Sequence, residues 1–148
     1  MATNQRRLHC SPQAVFGVLA DGWLYPTWVV GTARMRDVDA GWPAPDTRLH
    51  HSVGVWPVLL DGTTSCLEWE PPVRMVVMAR GILIGKARVT IEATAAGTDT
   101  LVRITEVPVS GPTLLFPRPF VDLLLWLRNT DTLRRLAYLS EGNARSGA

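Results

Sequence analysis

The side chains best placed to do chemistry in this sequence are a few carboxylates and histidines set among apolar residues. In the segment 100–107, alternation groups Val102, Ile104 and Glu106 on one face, with Arg103 and Thr105 on the other. A carboxylate that shares a face with valine and isoleucine is desolvated. That suits either a general acid/base or an anchor for a ligand's hydrogen bond. The competing reading is that Glu106 lies at the end of its strand, where solvent reaches it. His50 and His51 look like a metal pair, but adjacent strand residues point to opposite faces and share one ion poorly. His51 runs with Leu49, Val53 and Val55 on the covered face, and His50 runs with Arg48 and Ser52. A hydrogen-bonded core histidine is the favoured role for His51, ahead of chemistry.

A second group lies near the carboxyl end. At 100° per residue, Asp122, Leu125, Trp126, Asn129, Leu133 and Leu136 gather on one side of a long helix. Arg128, Asp131, Arg134 and Arg135 lie elsewhere, so the first set should face the sheet. Burying Asp122 and Asn129 there is costly unless each finds a partner or a polar ligand. A bond to a neighbouring strand's backbone is the favoured reading for Asn129. For Asp122 the alternative is an ion pair near the helix start, where the dipole also favours a negative charge. Of six tryptophans, Trp28 and Trp42 fall in loop regions that would rim a pocket, while Trp56 and Trp69 sit in or beside strands. Aromatic rings suit a flat apolar ligand, although core packing accounts for most of them. The predicted ligand contacts are therefore Trp28, His51, Glu106, Asp122, Trp126, Asn129 and Leu133. For any catalysis the candidates are Glu106, His51 and Asp122.

These residues must be carried by a recognisable series of elements. Residues 3–10 read as a first strand. Ser11-Pro12 opens a helix, with serine as N-cap and proline at the first helical position, and Asp21-Gly22 closes it. Pro26 breaks the aromatic run 23–28, where a second short helix is placed. Strands follow at 31–38, 47–56, 63–70, 73–81, 85–95 and 100–107, with turns expected at Asp61-Gly62, Pro71-Pro72 and Gly97-Thr98-Asp99. In 85–95, Ala87, Val89 and Ile91 alternate with Lys86, Arg88 and Thr90, which indicates an antiparallel sheet covered on one face. After Ser110-Gly111-Pro112 a long helix begins near Pro117–Pro119 and runs to about Glu141, with Gly142 as its stop and a frayed tail beyond.

Length and composition narrow the class. A chain of 148 residues, 47% of them hydrophobic, suits one globular domain spanning 1–148 and excludes a disordered tail. Lys86 is the only lysine among fifteen basic residues, and the arginines are scattered rather than massed, which argues against a nucleic-acid surface. Cys10 and Cys66 lack metal-type spacing and read as reduced, small apolar residues. No apolar leader follows the amino terminus, and Phe120–Leu127 is too short to span a bilayer, so a cytoplasmic protein is expected. Catalytic motifs such as His-Glu-x-x-His or Gly-x-Ser-x-Gly, phosphate-binding loops and dinucleotide fingerprints are absent, so no cofactor and no metal are expected.

The order of strand, two short helices, six strands and long helix resembles the helix-grip arrangement of the START-like (SRPBCC) superfamily. Several strings are similar to its bacterial polyketide cyclase/dehydrase branch: Ser11-Pro-Gln-Ala-Val-Phe16, Tyr25-Pro-Thr-Trp28, Leu67-Glu-Trp-Glu-Pro-Pro72, Glu106-Val-Pro-Val-Ser-Gly-Pro112 and Arg128-Asn-Thr-Asp-Thr-Leu-Arg-Arg-Leu136. The resemblance implies an α+β fold in which a curved antiparallel sheet of about seven strands grips the terminal helix and encloses a cavity. It implies a small, largely apolar ligand: a polyketide, lipid or aromatic metabolite. Because the superfamily holds carriers, receptors and cyclases, it leaves a cyclase or dehydratase using Glu106 as the alternative.

Overall fold

The computed structural model describes residues 2–30, 32–55, 58–81 and 85–145. Seven strands form one antiparallel sheet: β1 (Ala2–Leu8), β2 (Thr32–Val38), β3 (Arg48–Val55), β4 (Val58–Glu70), β5 (Arg74–Gly81), β6 (Gly85–Ala96) and β7 (Asp99–Ser110). The spatial order is β1-β7-β6-β5-β4-β3-β2, so the chain runs as a meander from β2 to β7 and β1 closes the far edge. Three helices cover one face: α1 (Pro12–Ala20), α2 (Tyr25–Trp28) and α3 (Arg118–Arg145). This is the helix-grip α+β fold that the order of elements implies.

Local chemistry accounts for most boundaries. Ser11 Oγ accepts from the Ala14 amide at 3.2 Å, capping α1. Gly97, at φ +65°, makes the β6–β7 turn, a backbone region that L side chains adopt rarely. Along β6, Ile91 is buried and Val89 half-buried while Lys86 and Arg88 are exposed, as the alternation predicts. Leu8, Leu19, Leu49, Ile91, Ile104, Leu133 and Leu136 are fully buried between the sheet and the helices. Burying each such side chain contributes about 1.5–3 kcal/mol.

Three expectations about the elements need correcting. Asp61-Gly62 is not a turn: it lies inside β4, which pairs with β3 from Val58 to Ser65. The glycine signals close approach instead, because a Cβ on Gly62 would meet the Arg80 carbonyl oxygen at 2.7 Å and the His51 ring at 3.2 Å. Residues 56 and 57, between β3 and β4, lie outside the described residues, and the reading of Trp56 with them. Gly142 does not stop the last helix, which continues to Arg145. At the other end of the sheet, β7 continues past Glu106 to Ser110 and carries that residue well inside the fold. Among the described residues no helix is long and apolar enough to cross a membrane.

Candidate functional site

Between the curved sheet, α2 and the first half of α3 lies a cavity of about 410 Å³. Its walls are chiefly apolar: Met75, Val77, Val89, Ile91 and Ile104 from the sheet, Val121 and Leu125 from α3, and the rings of Tyr25, Trp28 and Trp42. Polar side chains interrupt them, among them two hydrogen-bonded groups.

The first group joins β7 to α3. Glu106 is only 3% exposed. Arg128 Nη2 donates to Glu106 Oε1 in a close ion pair, and Asn129 Nδ2 donates to the same oxygen at 3.1 Å. Both donors converge on Oε1. A carboxylate placed this way in an apolar wall can accept a hydrogen bond from a ligand, or take a proton from one.

The second group joins α2 to β3 and β4. His51 Nε2 lies 2.8 Å from Thr64 Oγ1, and the Tyr25 hydroxyl lies 3.1 Å from that same oxygen. The Tyr25 ring stacks on the imidazole with centroids 5.4 Å apart and meets Trp28 edge-on at the same distance. Burial pushes the His51 pKa down to about 4, with smaller contributions from the charges of Arg36 and His50, so the ring is neutral at ordinary pH. Burial likewise raises the Tyr25 hydroxyl, which stays protonated. His51 Nδ1 and Trp28 Nε1 are both buried without a hydrogen-bond partner.

The structure gathers part of the predicted site and disperses the rest. Trp28, His51, Glu106 and Asn129 all line the cavity. Asn129 is buried as expected, but its bond goes to a carboxylate side chain rather than to strand backbone. Leu133 lies in the packed core and Asp122 lies off the wall, half-buried. Trp126 is 47% exposed. The inward arc of α3 is instead Val121, Leu125, Arg128, Asn129 and Thr132. The helical-face argument turns Leu125, Asn129, Leu133 and Leu136 inward, where the structure has them, and fails at Asp122, Trp126 and Arg128. It took polarity as the mark of the outer side, whereas in the first half of α3 the outer side is apolar.

Arg128 is the residue this reasoning missed, since an arginine was assigned to solvent. The available signal was Glu106 itself, because a buried carboxylate demands a cation or several donors. Asn4 and Thr132 were missed as well. Asn4 Nδ2 donates to the Trp126 carbonyl at 3.0 Å and to Thr130 Oγ1 at 2.9 Å, fixing α3 against β1. Thr132 Oγ1 accepts from the Val30 amide at 3.3 Å, tying α3 to the segment after α2. His50 turns away from the cavity and pairs with Asp39 at 3.0 Å. Cys10 and Cys66 are free and buried, and burial pushes the Cys66 thiol up to about 11.

A comparison with protein-family models finds no match, and neither does one with curated proteins. Solved structures do match. A START superfamily protein from Mycobacterium smegmatis superposes with a TM-score of 0.68 at 17% identity, over 99% of this chain and 98% of that one. The chain has the START-like helix-grip fold. A structural-genomics protein from Chromobacterium violaceum shares this helix-grip fold with a TM-score of 0.71 at 15% identity, over 95% of this chain and 99% of that one. So does the di-domain ARO/CYC StfQ of the steffimycin biosynthetic pathway, with a TM-score of 0.69 at 12% identity. That match covers 99% of this chain but 51% of StfQ, so the whole chain corresponds to about half of the larger protein.

Proposed function

We propose that this protein binds one small, largely apolar molecule, such as a polyketide, lipid or aromatic metabolite, in the cavity between sheet and α3. The observation that carries this reading is a drug-sized, mostly apolar cavity with a few convergent polar groups. In it, the Glu106–Arg128–Asn129 group orients the polar end of the ligand, while Trp28, Tyr25 and the sheet's aliphatic residues enclose the rest. Shared fold with a START superfamily protein and with an ARO/CYC supports the reading at the level of architecture.

A second reading rests on Glu106 as a carboxylate that lines the cavity. A carboxylate set in an apolar wall is also what a cyclase or dehydratase needs beside an enolisable ketone. The variant Glu106→Gln separates the two. It keeps the shape and the bond from Asn129 but removes the charge. For a binding protein it weakens affinity by about 1–3 kcal/mol in a calorimetric titration. For an enzyme it leaves binding nearly intact and slows turnover by about 10²–10⁴-fold. Unchanged binding and turnover would remove Glu106 from the site.

A further inference from the structure

Hydrogens outnumber hydrogen bonds in the group formed by Tyr25, Thr64 and His51. The neutral imidazole and the two hydroxyls each have one hydrogen to donate. Two contacts join them, Tyr25 to Thr64 and Thr64 to His51. One hydrogen is therefore left over, and its position decides what the group can bind.

Three positions are open to it. On His51 Nδ1 it would be stranded, because that atom is buried and has no hydrogen-bond partner. What faces Nδ1 is Gly62, where a Cβ built on the backbone would lie 3.5 Å away. The Cα hydrogen in that direction suits a lone pair on Nδ1 and opposes an N–H. The Thr64 hydroxyl is fully buried, lies off the cavity wall and is already engaged on both sides. Tyr25 is on the cavity wall, so only there does the spare hydrogen meet open space. In the resulting order His51 Nε2 donates to Thr64, and Thr64 donates to the Tyr25 oxygen.

We propose that the Tyr25 hydroxyl donates its free hydrogen to an acceptor oxygen of the bound molecule, so that the cavity selects ligands with a ketone or quinone carbonyl. This deepens the ligand-binding reading and rests on it. Trp28, edge-on to Tyr25 and on the same wall, adds an indole N–H that is buried without an acceptor. Burial raises the Tyr25 pKa most, but Arg128 and Glu106 also act on the hydroxyl, which sets the two polar groups about the same space. The Glu106 carboxylate accepts where Tyr25 donates. The ligand class that suits both is an apolar ring system with a carbonyl at the Tyr25 end and a hydroxyl at the Glu106 end.

Two measurements test this. The first needs no ligand: proton–nitrogen correlation spectra of the wild-type imidazoles at neutral pH, with His51 assigned by its loss in His51→Gln. The expected tautomer has the hydrogen on Nε2 and a bare Nδ1. A hydrogen on Nδ1 would overturn the proposal, because Thr64 would then donate to His51 and Tyr25 would spend its hydrogen on Thr64. The second is equilibrium dialysis with 9-fluorenone and fluorene, which share a ring system and differ at one carbonyl. The readout is the ratio of the two affinities, in which effects of a variant on packing cancel. Tyr25→Phe should lower the preference for fluorenone by about fivefold. A ratio that Tyr25→Phe leaves unchanged would overturn the role of Tyr25 and leave the ligand-binding reading in place. Failure of both compounds to bind the wild type, with the expected tautomer present, would overturn that reading and the selection of ligands with it.

Discussion

Replacing Arg128 with methionine should cost about 3 kcal/mol of stability, near the low end of what breaking a buried ion pair costs. The effect does not measure the attraction itself. It arises because Glu106 stays in the apolar wall with its charge uncompensated, keeping only the bond from Asn129. Arg128 is more than a third exposed, so part of its own charge is already solvated, which keeps the loss from being larger. Removing both charges should be far milder. In Glu106→Gln/Arg128→Met the amide keeps its partner in Asn129 and no ion is left buried, so most of the lost stability returns. Urea denaturation of the wild type, both single variants and the double variant closes this cycle. Equal additive losses in the two single variants would show that the pair is not coupled.

Acidification should produce the second large effect, through His51. Its folded-state pKa of about 4 lies below the ordinary value of 6.5, so the fold favours the neutral ring. Above pH 6.5 the imidazole is neutral in both folded and unfolded chains and adds no pH dependence. Between about pH 6.5 and 4 the unfolded chain takes up the proton and the folded chain does not, so stability falls as pH falls. Below about pH 4 both forms carry it and the loss levels off, having reached on the order of 3 kcal/mol. His51→Gln should lack this component while keeping a side chain that can bond Thr64. Asp39 is held low by its hydrogen bond from His50, and Asp99 by its bond from Arg7. Both contribute a separate loss at more acid pH, present in wild type and variant alike, so the difference between the two curves isolates His51. Parallel curves across pH 4–6.5 would show that the imidazole is not held neutral by burial.

The fold was largely legible because each element announces itself locally. The Ser11-Pro12 start, the β6 alternation and the Gly97 turn act within a few residues, and together they order the whole chain. Glu106 was legible for the same reason, since strand period alone places it beside Val102 and Ile104. Arg128 was not, because its position depends on a partner in another element. Asp122 and Trp126 were misplaced because the helical rule assumes a polar outside, and the first half of α3 carries leucine and phenylalanine there. Gly62 misled for a related reason. Glycine marks a turn when the chain must bend, and marks a close approach when a neighbour's backbone and a histidine ring need the space.

Native mass spectrometry in the presence of 1-anilinonaphthalene-8-sulfonate tests the central claim most directly, run on the wild type and on Ala87→Trp. Ala87 lines the cavity, so an indole there fills space that the ligand would occupy. The account predicts a one-to-one adduct for the wild type and loss of that adduct in a variant that retains its native circular dichroism. No adduct with the wild type, or an adduct that Ala87→Trp leaves unchanged, would contradict it.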